Sequence, residues 1–211
     1  MKIYNLYSTL LEAPLPDDWD KNMFSNATPY SKMIAYAKDR AEQVGKGSSR
    51  VAFLVTYQGR KTVIKVALNA KGLSQNEEEV RLFSDWYLSR IGITIPMIDH
   101  DEKNRRPTWI HTEFADKITD AKLTKYFSGV KLPVVIANLE YEKSGRRTYL
   151  TQELPEAIHD NENYDKLRDL ILNFTDISTG DLQTKANWGI YKGNPVILDL
   201  GFTKDTEKLY R

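Results

Sequence analysis

The sequence predicts an α+β chain, in which a strand-rich N-terminal part with one inserted helix precedes a mainly helical part carrying a small hairpin. Two runs, Arg50–Tyr57 (RVAFLVTY) and Lys61–Leu68 (KTVIKVAL), are rich in β-branched and aromatic residues, and Gln58-Gly59-Arg60 separates them with turn chemistry, so they predict a hairpin. Helical spacing follows. Val80, Phe83, Tyr87 and Ile91 form a stripe along Asn76–Ile91, and Tyr164, Leu167, Leu170, Ile171 and Phe174 form another over 161–174. At 211 residues, 41% hydrophobic and 28% charged, the chain suffices for one sizeable core or two small lobes around a cleft.

The remaining elements follow in chain order. Residues 1–29 are irregular and rich in Pro and Asp, and form an arm expected to wrap onto the body through Tyr4, Leu6, Tyr7, Leu10 and Leu11. The first lobe is placed at 30–115 and the second at 116–211. From Pro29, the positions Met33, Ile34, Ala37, Ala41 and Val44 predict a helix ending near Gly45. Strands are expected at Ile95–Ile98 and Thr108–Phe114, on either side of the loop DHDEKNRRP. A helix is expected over 117–128. The segment 131–143 suits a helix, although VVIANLEY also suits a buried strand. Near the end, Trp188–Tyr191 and Pro195–Leu198 form a second hairpin around Lys192-Gly193-Asn194.

Composition excludes several functions. Thirty Lys and Arg against 29 Asp and Glu leave a net charge of +1, so no global basic field draws the chain to nucleic acid or anionic lipid. Without cysteine there are no disulfides, thiolate metal sites or cysteine nucleophiles, which fits a reducing compartment. The N-terminus lacks an apolar run of signal-peptide length and no later run is long enough to span a membrane, so a cytoplasmic protein is expected. His100, His111 and His159 lack metal-ligand spacing, and neither a nucleophile elbow nor an NTPase-type P-loop is present.

The chemistry-bearing residues fall in one order. Gly45-Lys46-Gly47-Ser48-Ser49-Arg50 combines glycines, which let backbone pass close to phosphates, with amides and the Ser48 and Ser49 hydroxyls that can donate to them. A Gly-Ser turn alone is more often only a turn, and Arg50 suits a phosphate contact or a surface charge equally. Lys65 lies 18 residues after Gly47, inside the apolar run Val63-Ile64-Lys65-Val66. A lysine aimed into a cleft needs an anion, whereas one on a half-exposed hairpin needs none. Glu77, Glu78 and Glu79 suit the start of a helix, and one of them is placed to hold Lys65: Glu79 first, Glu78 second. Asp181 follows a Thr-Gly turn and can accept a hydroxyl proton, while Asn187 can offer an amide oxygen to magnesium; standing alone, the pair is better read as an Asp-capped turn and a loop asparagine. Asp199 ends the apolar run Val196-Ile197-Leu198, where a carboxylate suits magnesium and equally suits an ordinary turn.

Taken together, these motifs resemble those of the protein-kinase-like superfamily, over roughly residues 38–203. Gly45–Arg50 resembles its glycine-rich loop, Val63-Ile64-Lys65 its strand lysine, and Glu79 that lysine's helix partner. Thr112-Glu113-Phe114 falls where the hinge that holds adenine belongs. Gly180-Asp181-Leu182 with Asn187 resembles the catalytic loop in the spelling of aminoglycoside-phosphotransferase-like kinases, and Asp199-Leu200-Gly201 resembles the magnesium-binding Asp-Phe-Gly motif. GKGSSR, KGLSQNEEEV and the ending soon after Asp-Leu-Gly are similar to small phage-encoded kinase-like proteins. The resemblance implies a bilobal fold binding ATP and Mg2+ between the lobes. It also implies a second lobe lacking the activation segment and later helices, because the sequence ends ten residues after Gly201. Two departures stand out: Asp181 and Asn187 are six residues apart where the family has five, and Thr179 replaces the usual His or Arg.

The resemblance thus implies a minimal kinase that transfers the γ-phosphoryl group to a hydroxyl, on a protein Ser or Thr or on itself. In it Lys65, Gly45, Gly47, Ser48, Ser49 and Glu113 would bind nucleotide, Asn187 and Asp199 would hold magnesium, and Asp181 would act on the acceptor. One alternative is a pseudokinase that binds a protein partner, for a phage protein one from its bacterial host in the host cytoplasm. Another is a small-molecule phosphotransferase of the aminoglycoside-kinase type, which the Gly-Asp-Leu spelling favours.

Overall fold

Residues 15, 16, 18–174 and 177–200 are described in the computed structural model of the chain; Tyr4, Leu6, Tyr7, Leu10, Leu11 and Gly201 lie outside them. The chain divides into two units. One comprises Met1–Asn76 with Met97–Glu113, the other Glu77–Pro96 with Phe114–Arg211. The chain thus leaves the first unit after Asn76, returns to it at Met97 and leaves it again after Glu113.

The first unit is built on the expected hairpin. Strands β2 (Arg50–Tyr57) and β3 (Arg60–Ala67) pair in register from Arg50↔Ala67 to Tyr57↔Arg60. Gln58 and Gly59 take positive φ values of 50° and 75°, as a two-residue turn matched to strand twist requires. Strands β1 (Glu42–Lys46), β4 (Met97–His100) and β5 (Trp109–Glu113) complete an antiparallel sheet of order β1-β2-β3-β5-β4. Helix α1 (Tyr30–Lys38) buries Met33, Ile34 and Ala37 with Val51, Phe53, Val55, Ile64, Val66 and Trp109 of the sheet. Leu15, Trp19 and Phe24 of the arm join this cluster, with the Trp19 and Phe24 rings stacked at 5.6 Å.

Two expectations fail here. The helix from Pro29 stops at Lys38, and Glu42–Lys46 is a strand. Ala41 and Val44 continue the helical phase, but Val44 is the extra residue of a bulge between Gln43 and Gly45, and it is exposed. The helix expected over Asn76–Ile91 is two helices, α2 (Ala70–Phe83) and α3 (Trp86–Ile91). At the start of α2, Asn69 Oδ1 accepts the Gly72 N–H at 3.1 Å. Asp85 breaks the run because its carboxylate accepts the Tyr87 and Leu88 N–H groups, at 2.9 and 3.0 Å, and so starts α3 anew.

The second unit is mainly helical. It contains α4 (Asp120–Tyr126), α5 (Leu132–Ser144), α6 (Glu162–Asn173) and the single-turn α7 (Thr179–Leu182). The segment that suited helix or strand is the helix α5, with proline in its first turn and Gly145 (φ 71°) closing it in the left-handed conformation. Val135, Ile136 and Leu139 of α5 and Leu167, Leu170 and Ile171 of α6 are buried where the two helices pack. A second sheet has the order β6-β7-β8, from Asp116–Lys117, Trp188–Tyr191 and Asn194–Ile197. Its hairpin turns through Lys192 (φ 48°) and Gly193 (φ 84°), where the sequence places the turn. Gly189 is required there, because a Cβ would lie 2.8 Å from the Ala115 Cβ. Among the described residues, no helix is long and apolar enough to cross a membrane.

Candidate active site

In the first unit, the glycine segment is the turn of the β1–β2 hairpin rather than a link from helix to strand. Gly45 pairs with Ala52, and Ala52 pairs with Lys65. The three therefore form one row across the sheet, on the face opposite Phe53, Ile64 and Val66. Lys65 is half-buried on β3, the third strand, flanked by Ala52 and by Ile110 of β5. On the β1–β2 side of the lysine, the small residues Ala52 and Gly45 add little side chain to this row, whereas Ile110 on the other side is buried.

Neither glycine is demanded by the backbone. A Cβ on Gly45 would meet the Ala52 Cβ at 3.5 Å, and one on Gly47 would meet only the Arg50 carbonyl oxygen at 3.9 Å. The Gly47 N–H itself donates to Arg50 O at 2.9 Å. Gly45→Ala and Gly47→Ala are accordingly expected to leave unfolding free energy within about 0.5 kcal/mol of wild type. If phosphates lie on this turn, each should also weaken magnesium-ATP binding about tenfold. Paired thermal unfolding and calorimetric titration separate the two effects.

The neighbouring polar residues are occupied differently from expectation. Ser48 is exposed, but Ser49 is buried and its hydroxyl donates to Gln75 Oε1 on α2. Arg50 is not a surface charge: it is 6% exposed, and its Nη1 donates to Asn76 Oδ1 at 3.4 Å. Asn76 in turn donates to Pro107 O at 2.9 Å, and Asn69 Nδ2 donates to Ser48 O at 3.0 Å. Asn69, Gln75 and Asn76 thus hold the end of the glycine turn, a role the sequence reading missed. The polar run Ser74-Gln75-Asn76 near the head of an otherwise amphipathic helix was its only local signal. Glu113, at the end of β5, is bound by Arg60 at 2.9 Å.

In the second unit, Glu79 is fully buried, whereas half-buried Glu78 pairs with Arg81 at 2.9 Å. Of these two, Glu79 is the one held away from solvent. Asp181 lies on α7, and Asn187 ends a 3₁₀ turn over Lys185–Asn187. The Asn187 amide nitrogen donates to the Asp181 carbonyl at 3.0 Å. That bond spans the six-residue interval, and the Thr184 and Asn187 N–H groups close turns onto Asp181 O and Thr184 O at 3.1 and 2.9 Å. Loop length is absorbed by turns. The Leu198 N–H donates to Asn187 O at 2.7 Å, which ties the residue before Asp199 to the same asparagine. Asp181, Asn187 and Asp199 are all half-buried. Trp188 anchors the loop, its Nε1 donating to Leu182 O at 2.8 Å and its ring meeting Phe127 edge-on. Thr179, which stands where the resemblance has His or Arg, donates its hydroxyl to Glu140 of α5.

The bond from Nδ2 leaves the Asn187 Oδ1, the one acceptor of that side chain, as the atom a hard cation takes. Among the described residues, no group of three or more His, Asp or Glu is disposed as a metal site. Magnesium held by one carboxylate, one amide oxygen and substrate phosphates needs no such group.

No protein-family model matches the chain, and no curated protein sequence matches it. Among solved structures, the chain is similar to aminoglycoside phosphotransferase APH(4)-Ia at 20% identity, over 53% of this chain and 36% of that one, with a TM-score of 0.29. A thermostable mutant of that enzyme in ternary complex with AMP-PNP and hygromycin B aligns at 15% identity over 77% and 66% of the two chains, with a TM-score of 0.37. Another, with ADP and hygromycin B, aligns at 22% identity over 47% and 31%, with a TM-score of 0.27. The chain thus spans from about a third to 66% of those proteins' length.

Proposed function

We propose that the chain is a kinase-like phosphotransferase that uses ATP and magnesium to phosphorylate a hydroxyl. The observation that carries this reading is the double tie at Asn187, whose amide nitrogen holds the Asp181 carbonyl and whose own carbonyl holds Leu198, the neighbour of Asp199. It gathers a carboxylate for the acceptor and two oxygen donors for a metal onto one scaffold, despite the extra loop residue.

The residues divide the work as phosphoryl transfer requires. The backbone of Gly45–Ser48 and the ammonium of Lys65 bind phosphate oxygens, and Glu79 is the carboxylate that the resemblance assigns to the lysine. Asn187 Oδ1 and the Asp199 carboxylate hold magnesium, which neutralises charge on the phosphates when bound. Asp181 positions the acceptor hydroxyl and takes its proton. Ser49 enters indirectly, fixing the turn through Gln75. The leading acceptor is a protein Ser or Thr, including one of the chain's own. An amino sugar is the competing acceptor, which the Gly-Asp-Leu spelling favours.

Thermal unfolding with and without magnesium-ATP tests the nucleotide step. A ligand that binds only the folded state stabilises by about 2.7 kcal/mol at a hundredfold excess over its dissociation constant. The wild-type midpoint should rise, and Lys65→Ala combined with Asp199→Ala should abolish the rise. No rise in wild type would overturn the reading in favour of a protein-binding pseudokinase. Labelled-phosphate transfer to the chain itself, to a Ser/Thr protein or to an amino sugar then distinguishes the acceptors.

A further inference from the structure

A cavity of about 300 Å³ in the second unit has no part in this chemistry. Its floor is apolar, with Phe83 and Val196 both nearly fully buried. Its wall is cationic, formed by Arg90, Lys166 and Lys192 with Tyr191 beside them, and no carboxylate lines it. We propose that it binds an organic anion, a carboxylate or phosphomonoester carried on a compact apolar body.

Several features fix this wall. Segment 93–95 is clamped to β8 by Ile197 N–H to Ile93 O at 2.8 Å and Ile95 N–H to Ile197 O at 3.0 Å. Gly92 in the left-handed conformation turns the chain out of α3 into that clamp. The Arg90 guanidinium lies 5.3 Å from the Trp86 ring centroid, and that ring is itself 71% exposed. Lys192 lies 5.1 Å from the Tyr191 ring centroid and occupies a left-handed turn position that favours Asn or Gly, so a lysine there is conformationally costly. Lys166 pairs with the exposed Glu162 at 2.6 Å, and Glu162 does not line the cavity. Arg90 and Lys192 are exposed and have no carboxylate beside them in the wall. The larger cavity, about 420 Å³, offers no such field: it contains Asp165 and Glu142, and Glu142 already binds Arg168 Nε at 2.9 and 3.0 Å. Apolar floor and cationic rim together select an amphipathic anion, with the rim setting orientation.

The test is titration of the full isotope-labelled chain with phenylacetate, phenyl phosphate and benzyl alcohol, following the Gly92, Thr94 and Asn194 amides. Saturable shifts with either anion and none with the alcohol are expected, and the tighter anion identifies the headgroup. Lys192→Asn, which suits the left-handed turn, combined with Arg90→Gln should weaken binding about tenfold. Lys65→Ala with Asp199→Ala should leave it unchanged, which separates this site from nucleotide binding. Equal shifts with benzyl alcohol, no shifts with any probe, or undiminished binding in the Lys192→Asn, Arg90→Gln variant would each overturn the proposal.

Discussion

Asp181→Asn is expected to lower phosphoryl transfer by about 10²- to 10⁴-fold, the range a positioned general base supplies, while magnesium-ATP affinity stays near wild type. The substitution is nearly isosteric. The bonds from Asn187 Nδ2 and the Thr184 N–H end on the backbone carbonyl of Asp181, not on its side chain, so they survive the change. Asn187→Ala is the contrasting variant. It removes a proposed metal ligand and the bond spanning the loop together, so nucleotide binding and turnover should fall together. Single-turnover transfer measured beside calorimetric binding separates the two patterns. Full turnover in Asp181→Asn would remove that residue from the chemistry, and with it the reading that the six-residue interval is functional.

The legible parts of this chain were those where local pattern and tertiary demand agree. Gly59 and Gly193 announce their hairpins because positive φ favours glycine, although Gln58 and Lys192 beside them adopt it too, and α6 shows its period because one face is buried. Strand β1 was hidden for the opposite reason. Four of its five residues are exposed, so no alternation marks it, and Ala41 and Val44 happen to stand at helical spacing from Ala37 of α1. The site divides the same way. Gly45, Lys65, Asp181, Asn187 and Asp199 are visible as residue types in order, and the Asn187–Asp181 bond is local, but what secures the glycine turn is long-range. Ser49 to Gln75 and Arg50 to Asn76 each span 26 residues, and Asn76 to Pro107 spans 31. No window of helical or strand length contains both ends of such a bond. A serine beside two glycines suggests a phosphate donor, whereas burial turns its hydroxyl to an internal partner.

Gly72 is the position where such long-range packing should outweigh local propensity most clearly. It lies within helix α2, where exchanging glycine for alanine normally stabilises by about 1 kcal/mol. Here a Cβ would fall 2.2 Å from the Ser49 carbonyl oxygen and 3.1 Å from the Ala67 Cα and Cβ. Those neighbours are mainly backbone and cannot rotate away, and Ser49 O is already the acceptor for the Leu68 N–H at 2.7 Å. Overpacking of this kind costs about 1–3 kcal/mol, so Gly72→Ala should destabilise the chain despite its better helix propensity. Relief requires α2 to move off the end of β2, which pulls on Gln75 and Asn76 and hence on Ser49 and Arg50. Denaturant unfolding should therefore show a lowered midpoint, and nucleotide affinity should fall although Gly72 touches no proposed ligand. The opposite result, a stabilised chain, would mean that α2 does not approach the glycine turn as closely as these distances require. The support assigned to Gln75 and Asn76 would fail with it.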